Sequence, residues 1–88
     1  MRRFEFDPDK SASNLAKHGI DFEDAQRLWD DGKLAIVDAK SNDELRFMAI
    51  GRIDDRHWSA VFTLRRDRLR LISVRRARVA EIERYEGR

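Results

Sequence analysis

An arginine-rich segment at residues 65–78 contains the side chains best suited to chemistry in this sequence. Its fourteen residues, RRDRLRLISVRRAR, include seven of the fifteen arginines, interspersed with apolar residues that favour a β-strand. The planar guanidinium group forms paired hydrogen bonds with phosphate or carboxylate. The pattern therefore indicates a positively charged strand for a phosphate-rich partner. An amphipathic strand with solvated charges is the competing interpretation, because most runs of charge are of that kind.

Charge is unevenly divided between the two halves of the chain. Residues 1–44 contain seven Lys or Arg against eleven Asp or Glu, whereas residues 45–88 contain twelve against six. The basic residues are mostly arginine, with fifteen arginines and four lysines, although lysine would suffice for solubility alone. This asymmetry predicts that the C-terminal half faces an anion and the N-terminal half does not.

The composition predicts one globular domain over residues 1–88. The chain is 41% hydrophobic and 41% charged, which is too apolar for a disordered segment. It has no cysteine and only two histidines, so neither a disulfide, a metal nor a cofactor is expected. No signal-peptide pattern follows the first residues, and no apolar run is long enough to span a membrane. A cytoplasmic protein is therefore predicted.

The hydrophobic periodicity predicts the order β-α-α-β-β-β-β-α, an α+β fold with helices packed on one face of a small antiparallel sheet. Alternation at Phe4 and Phe6 indicates a short first strand, and Asp7 before Pro8 is typical of a helix start. Gly19 is placed to take the left-handed backbone conformation that ends the first helix, and Asp21 is placed to cap the start of the second. We expect helices at residues 8–17, 21–31 and 77–86, and strands at 34–38, 45–53, 58–65 and 68–76.

Apolar spacing also predicts which side chains face the core. On the first helix the expected core residues are Ala12, Leu15 and Ala16, and on the last helix Val79, Ala80 and Ile82. The aromatic residues recur at helix or strand periods, which assigns most of them to the core. A platform for stacking nucleic-acid bases would instead need aromatic side chains exposed on the basic face.

Three segments of the sequence resemble the BrnT family of small type II toxins: FEFDPDKSASNLAKHGIDFEDA at residues 4–25, FTLR at 62–65 and RLISVRRARVAEIERY at 70–85. The resemblance implies a RelE-like fold, a ribonuclease that arrests translation, and neutralisation by a BrnA-type antitoxin with a ribbon-helix-helix DNA-binding domain. It also implies that the two proteins together repress their promoter, so promoter DNA would be met only through the antitoxin. Phe6 departs from the family, which often has Trp there, and we expect this aromatic change to leave the fold intact.

Cleavage of RNA without a metal requires a 2′-hydroxyl to attack the neighbouring phosphorus, which increases the negative charge in the transition state. Arg65 and Arg75 are the candidate catalytic residues for stabilising that charge. Arg70 and Arg75 have opposite parity on one strand, so they share a face only if a β-bulge intervenes or one lies at an edge. The candidate RNA contacts are Lys17, Arg46, Arg70 and Arg76, each of which could also be an ordinary solvated or ion-paired side chain.

His18 and Tyr85 are the candidates for proton transfer, because arginine stays protonated and is a poor base. Imidazole exchanges protons near neutral pH, although His18 could equally cap the end of the first helix. Tyr85 follows Glu81 by four residues, so the two side chains could hydrogen-bond and orient the phenol toward RNA. Packing in the core is the alternative for Tyr85. His57, beside a predicted tight turn, is expected to be exposed.

Two functions from other classes compete with a ribonuclease: a non-catalytic nucleic-acid-binding module and a protein-interaction module. The first two helices superficially resemble a helix-turn-helix. The second of them, at residues 21–31, carries five acidic residues and only one basic residue, Arg27, so DNA phosphates would repel it. An interaction module whose arginines bind an acidic partner is compatible with neutralisation by an antitoxin.

Overall fold

The structure, a computed structural model, describes residues 3–87 and confirms the predicted α+β class and order of elements. Its five strands are β1 (Arg3–Glu5), β2 (Ala35–Ala39), β3 (Arg46–Ile53), β4 (Arg56–Arg65) and β5 (Arg68–Arg76). Its helices are α1 (Pro8–His18), α2 (Phe22–Ala25), a 3₁₀ helix at Gln26–Asp30, and α3 (Val79–Glu86). The second helix therefore forms as predicted but continues in 3₁₀ geometry after its first turn.

The five strands form one mixed sheet in the order β1-β5-β4-β3-β2. Strands β2 to β5 pair antiparallel, which confirms the predicted meander of β3, β4 and β5. The expectation of a purely antiparallel sheet is wrong, because β1 pairs parallel with β5. Parallel neighbours need a long crossover connection, and here the helices and the other strands supply it.

Helices pack on both faces of the sheet, not on one face as predicted. Helices α1 and α2 and the 3₁₀ helix cover the face that carries the main core. The buried residues of that core include Phe22, Ala25, Leu28, Ala49, Ala60, Phe62, Leu71 and Val74. Helix α3 lies on the opposite face, where its Tyr85 packs in a smaller cluster with Ala35 and Ile50. This second face also carries most of the candidate arginines.

The start and end signals of the first two helices are confirmed. The Asp7 side chain accepts a hydrogen bond from the backbone of Asp9, and Gly19 takes the left-handed conformation with φ 80°. The Asp21 side chain then accepts from the backbone of Asp24 at 2.8 Å. Among residues 3–87, none of these helices is both long enough and apolar enough to cross a bilayer.

The buried face of α1 is polar. Ser11 and Asn14 are its buried residues, and the prediction of an apolar face is wrong, since the structure exposes Ala12, Leu15 and Ala16. The Asn14 amide donates to the carbonyls of Ile20 and Val74 at 2.8 Å each, and its oxygen accepts from the Val74 amide. Ser11 Oγ accepts from the backbone of Phe22. The helix is thus attached to β5 and to the next turn by hydrogen bonds rather than by apolar packing.

Helix α3 begins two residues later than predicted and turns a different side to the sheet. Val79 is 73% exposed and Ala80 is also exposed, so the prediction that they pack in the core is wrong, whereas Ile82 is half-buried. Tyr85 is the buried residue of the helix. The orientation of α3 follows from Tyr85 and from the polar contacts of Glu81, which apolar spacing does not reveal.

Candidate nucleic-acid interface

A β-bulge in β5 decides which arginines share a face of the sheet. Val61 pairs with Ser73, but the next residue of β4, Phe62, pairs with Leu71, so Ile72 has no partner on β4. An extra residue of this kind reverses the alternation of side chains beyond it.

The bulge places Arg70 and Arg75 on the same face. Arg70 lies opposite Thr63 and Arg75 lies opposite Ser59. Residues opposite each other on antiparallel strands project to the same side, and Ser59 and Thr63 are separated by two full periods of β4. The sequence left this question open, and the bulge was one of its two possible answers.

Several arginines project from the face on which α3 packs, and we call five of them, which lie on or beside β4 and β5, the arginine face. Its members are Arg46, Arg65, Arg68, Arg70 and Arg75. Four of the five are on β4 and β5, the two central strands nearest β1, and Arg46 begins β3 beside them. Side chains from three strands therefore create one region of positive charge on a rigid support.

Glu44 lies between two members of the arginine face. Its carboxylate is 3.5 Å from Nε of Arg46 and 3.6 Å from Nη2 of Arg65. Nε of Arg46 is buried and has no hydrogen-bond partner among residues 3–87. The Arg65 side chain is 53% exposed, so this arrangement is loose and open to solvent. Ion pairs of such length and exposure stabilise a fold little, and an anion with better geometry can replace the carboxylate.

Glu5 occupies the corresponding place on the β1 side of the sheet. Its carboxylate accepts a 3.1 Å hydrogen bond from Nη1 of Arg70 and lies 3.7 Å from Nη1 of Arg68. Glu5 and Glu44 thus each bridge two arginines. Phosphate oxygens accept hydrogen bonds from guanidinium groups in the same geometry as carboxylate oxygens do, so a phosphate group fits these two positions.

Arg75 is the most firmly held member of the arginine face. Its Nη1 and Nη2 donate to the two carboxylate oxygens of Glu81 at 2.8 and 2.9 Å, and Nη1 also donates to the carbonyl of Arg76 at 3.2 Å. Its side chain is 25% exposed. The hydrogen bonds to Glu81 raise the pKa of Arg75, so its positive charge is secure.

Glu81 accepts hydrogen bonds from three groups of the protein. In addition to Arg75, the Ser59 hydroxyl donates to Oε1 at 2.7 Å and the Arg78 backbone amide donates to it at 2.9 Å. The hydrogen bonds from Arg75, followed by those from Arg78 and Ser59, lower the pKa of Glu81 to about 2 against the opposing effect of burial. This carboxylate is therefore ionised at neutral pH and joins the start of α3 to β4 and β5.

Tyr85 has a partner outside the arginine face. The predicted hydrogen bond between Glu81 and Tyr85 is wrong, because the Tyr85 hydroxyl donates to Oδ2 of Asp31 at 2.6 Å. Burial and then this carboxylate raise the pKa of Tyr85 to about 12, so the phenol stays protonated. His57 is not exposed as predicted, since its ring packs edge-on against Tyr85 and its Nε2 lies 2.8 Å from Glu86.

Besides Tyr85, three of the sequence candidates lie outside the arginine face. Lys17 and His18 are exposed at the end of α1, in the helical layer on the other side of the sheet. Arg76, one residue after Arg75, projects to that other side as well, and its guanidinium lies 5.6 Å from the ring centroid of Trp58. These three residues do not lie beside Arg75, because adjacent strand residues face opposite ways and α1 packs on the core face, and their roles stay predictions.

Sequence reasoning missed two polar residues that contact Arg75. Glu81 was considered only as a partner of Tyr85, and Ser59 was not singled out, although it is 1% exposed in the middle of β4. A serine among the apolar residues of a central strand is a usable signal, because a buried hydroxyl needs a hydrogen-bond partner. No comparable signal in the sequence identifies that partner as Glu81.

The chain is similar to a known protein family. A family model described as "Ribonuclease toxin, BrnT, of type II toxin-antitoxin system" matches residues 6–81. The matched range begins after β1 and ends inside α3, so it includes every member of the arginine face and Glu81. No curated protein matches the chain.

Proposed function

Because this chain belongs to the BrnT family of ribonuclease toxins of type II toxin-antitoxin systems, we propose that its arginine face is the site at which RNA is bound and cleaved. The observation that carries the proposal is the bulge at Ile72. It brings Arg70 to the side of the sheet from which Arg65 and Arg75 project. A surface of this kind supplies the positive charge that a phosphate-cleaving site requires.

The proposed reaction needs no metal ion. The 2′-oxygen of one nucleotide forms a bond to the adjacent phosphorus, the bond from phosphorus to the 5′-oxygen breaks, and the 2′-hydroxyl proton is lost while the 5′-oxygen gains one. The products are a 2′,3′-cyclic phosphate and a 5′-hydroxyl end. The phosphoryl oxygens carry extra negative charge in the transition state, and fixed guanidinium groups stabilise it. Arg75, held rigidly, is the principal candidate for this role, and Arg65 is the second.

The remaining arginines bind the RNA backbone in this proposal. Phosphates would replace the carboxylates of Glu5 and Glu44, which bridge arginine pairs at separations from 3.1 to 3.7 Å. Exchange of one anion for another preserves the charge balance of each pair. The positions of these bridges on the β1 and β3 sides of the site imply a strand of RNA lying across β4 and β5.

Membership of a type II system implies a protein antitoxin as partner and RNA as substrate. We infer that the antitoxin is BrnA-like, with a ribbon-helix-helix DNA-binding domain, and that this chain meets promoter DNA only through it. We also infer that RNA cleavage by the free toxin stops translation. Neutralisation would follow if acidic residues of the antitoxin cover the arginine face, and a complex that leaves Arg65 and Arg75 exposed and unpaired would contradict this.

The test is cleavage of single-stranded RNA by the purified chain in EDTA, with the ends of the products identified. We expect cyclic phosphate ends in EDTA and about a 100- to 1000-fold loss of rate in Arg75→Ala, as for other groups that stabilise transition-state charge. Arg56→Ala is the matched control, because Arg56 is an exposed arginine at the start of β4 outside the arginine face.

Other outcomes contradict the proposal in distinguishable ways. Activity that is lost in EDTA and restored by Mg²⁺ contradicts the metal-free mechanism. Salt-dependent RNA binding without any product indicates a non-catalytic binding module. Full activity in Arg75→Ala contradicts the assignment of the site.

A further inference from the structure

Arg75 uses only part of its hydrogen-bonding capacity within the fold. Guanidinium carries five N–H groups. Both hydrogens of Nη1 are used, one by Glu81 and one by the carbonyl of Arg76, and one hydrogen of Nη2 is used by Glu81. The Nε hydrogen and the second Nη2 hydrogen have no acceptor among residues 3–87.

These two hydrogens lie side by side along one edge of the planar group. That edge can donate a bidentate pair to two oxygens of a phosphate. Glu81 occupies the other edge, formed by Nη1 and Nη2, so phosphate binding would not require the Arg75–Glu81 pair to break. Glu81 differs in this from Glu5 and Glu44, because a phosphate would replace the carboxylates of those two residues in their looser ion pairs.

We propose that Glu81, supported by Ser59, is a positioning residue of the ribonuclease that orients the Nε–Nη2 edge of Arg75 toward the scissile phosphate. The inference rests on the proposed function and adds to it a residue that does not itself touch RNA. A bidentate carboxylate fixes the plane of a guanidinium group, whereas a single bond would leave it free to rotate.

Glu81 is itself fixed, as a positioning residue must be. Its side chain is only 17% exposed, and Oε1 accepts from both the Ser59 hydroxyl and the Arg78 backbone amide. Ser59 lies directly opposite Arg75 in the sheet and is itself buried. The orientation of Arg75 is therefore determined from two directions, by the strand that carries it and by the first turn of α3.

The first test is the steady-state cleavage rate of Glu81→Gln. The amide keeps the size of the side chain but replaces one acceptor oxygen with a donor, so it cannot hold both Nη1 and Nη2. We expect kcat to fall about 10- to 100-fold, because small misplacements of a catalytic group cost rates of that order. KM should change much less, since the other arginines still bind the RNA.

Glu86→Gln is the matched control. Glu86 lies on the same helix, and its carboxylate also contacts the sheet, at 2.8 Å from Nε2 of His57, but it does not contact Arg75. It reports the effect of weakening the contact between α3 and the sheet. A fall in kcat equal to that of Glu81→Gln would show a general effect of helix docking and overturn the inference.

A double-mutant cycle separates positioning from independent catalysis. If Glu81 acts through Arg75, Glu81→Gln should have little further effect once Arg75 is absent. We therefore expect kcat of the double variant to lie within about twofold of kcat of Arg75→Ala. A further large loss would mean that Glu81 takes part in the reaction by itself, for example as a base, and would overturn the positioning role.

Failure of this inference is distinguishable from failure of the proposed function. If Arg75→Ala loses cleavage while Glu81→Gln keeps full kcat, the site stands and the role of Glu81 is wrong. If Glu81→Gln does not fold, Ser59→Ala replaces it, because it removes one bond to Oε1 and leaves the ion pair in place. A several-fold loss of kcat in Ser59→Ala then supports the inference, and an unchanged kcat contradicts it.

Discussion

The Tyr85 hydroxyl donates a 2.6 Å hydrogen bond to Oδ2 of Asp31, which joins α3 to the end of the 3₁₀ helix. The same carboxylate accepts from the backbone amides of Lys33 and Arg52 at 2.9 Å each. Burial acts to raise the pKa of Asp31, but these three hydrogen bonds outweigh it and hold the pKa below its usual value. One carboxylate thus connects the C-terminal helix, β3 and the turn before β2.

We expect Tyr85→Phe to lower the free energy of unfolding by about 1.5 to 3 kcal/mol, the range for hydrogen bonds to a charged group. Loss of the hydroxyl removes one donor from a partly buried carboxylate. The measurement is urea denaturation at neutral pH, with Glu86→Gln as a control whose more exposed contact should matter less. A variant as stable as the wild type would show that the hydroxyl contributes nothing to the fold.

Comparing cleavage with stability tests the proposed catalytic role of Tyr85. The phenol is 6% exposed and its hydroxyl is bound to Asp31, so we expect Tyr85→Phe to lose less than about tenfold in rate at temperatures where it is fully folded. A loss as large as that of Arg75→Ala would instead show that the hydroxyl leaves Asp31 and acts on RNA.

Glu81 should make the stability of the fold depend on acid pH. Its hydrogen bonds with Arg75 lower its folded-state pKa from 4.5 to about 2. A lowered pKa contributes stability that is complete above the unfolded value and is lost as pH falls from about 4.5 through about 2. We expect a contribution on the order of 2 kcal/mol at neutral pH, allowing for solvent screening of a partly exposed pair.

Glu81→Gln should remove this pH dependence, because the amide does not titrate. The measurement is the free energy of unfolding of both proteins between pH 2 and 7. The difference between them should be largest near pH 7 and shrink toward pH 2. A constant difference over the whole range would mean that the two proteins differ in packing and not in the ionisation of Glu81.

The order of elements was predictable because it depends on local signals. The caps at Asp7, Gly19 and Asp21 are set by backbone geometry near each residue. The pairing of β1 with β5 and the docking of α3 on the second face depend on contacts between distant parts of the chain, which periodicity does not report. The polar buried face of α1 was not predicted for the same reason, because Asn14 forms a hydrogen bond with Val74, sixty residues away in the sequence.

The candidate site was predictable only in part. The arginine segment follows from composition, but the face of each arginine depends on one unpaired residue, Ile72, and parity alone would have separated Arg70 from Arg75. The sequence analysis named both Arg75 and Tyr85 as catalytic candidates, whereas the structure gives them different partners, Glu81 and Asp31. The RelE-like character of the fold and the absence of a metal from the reaction stay predictions.

Arg70→Ala should weaken RNA binding through the loss of one phosphate contact. Binding is measured in the Arg75→Ala background, so that cleavage does not interfere, over a series of salt concentrations. Each contact to single-stranded RNA contributes about 0.7 to the slope of log affinity against log salt, so the slope should become shallower by about that amount. Arg56→Ala should leave the slope unchanged, and an unchanged slope in Arg70→Ala would exclude a phosphate contact there.

Asn14→Asp should destabilise the fold more than the loss of a methyl-sized core group would. The Asn14 amide nitrogen donates to two buried carbonyls, and an aspartate would place an oxygen against both. An unsatisfied buried polar group costs about 1 to 3 kcal/mol, and more when it is charged, so we expect a loss above 3 kcal/mol at neutral pH. Ser13→Ala, at the exposed neighbouring position on α1, is the control. Protonation would restore one donor, so the loss should shrink in acid, and a variant equally unstable at every pH would contradict this account of the Asn14 contacts.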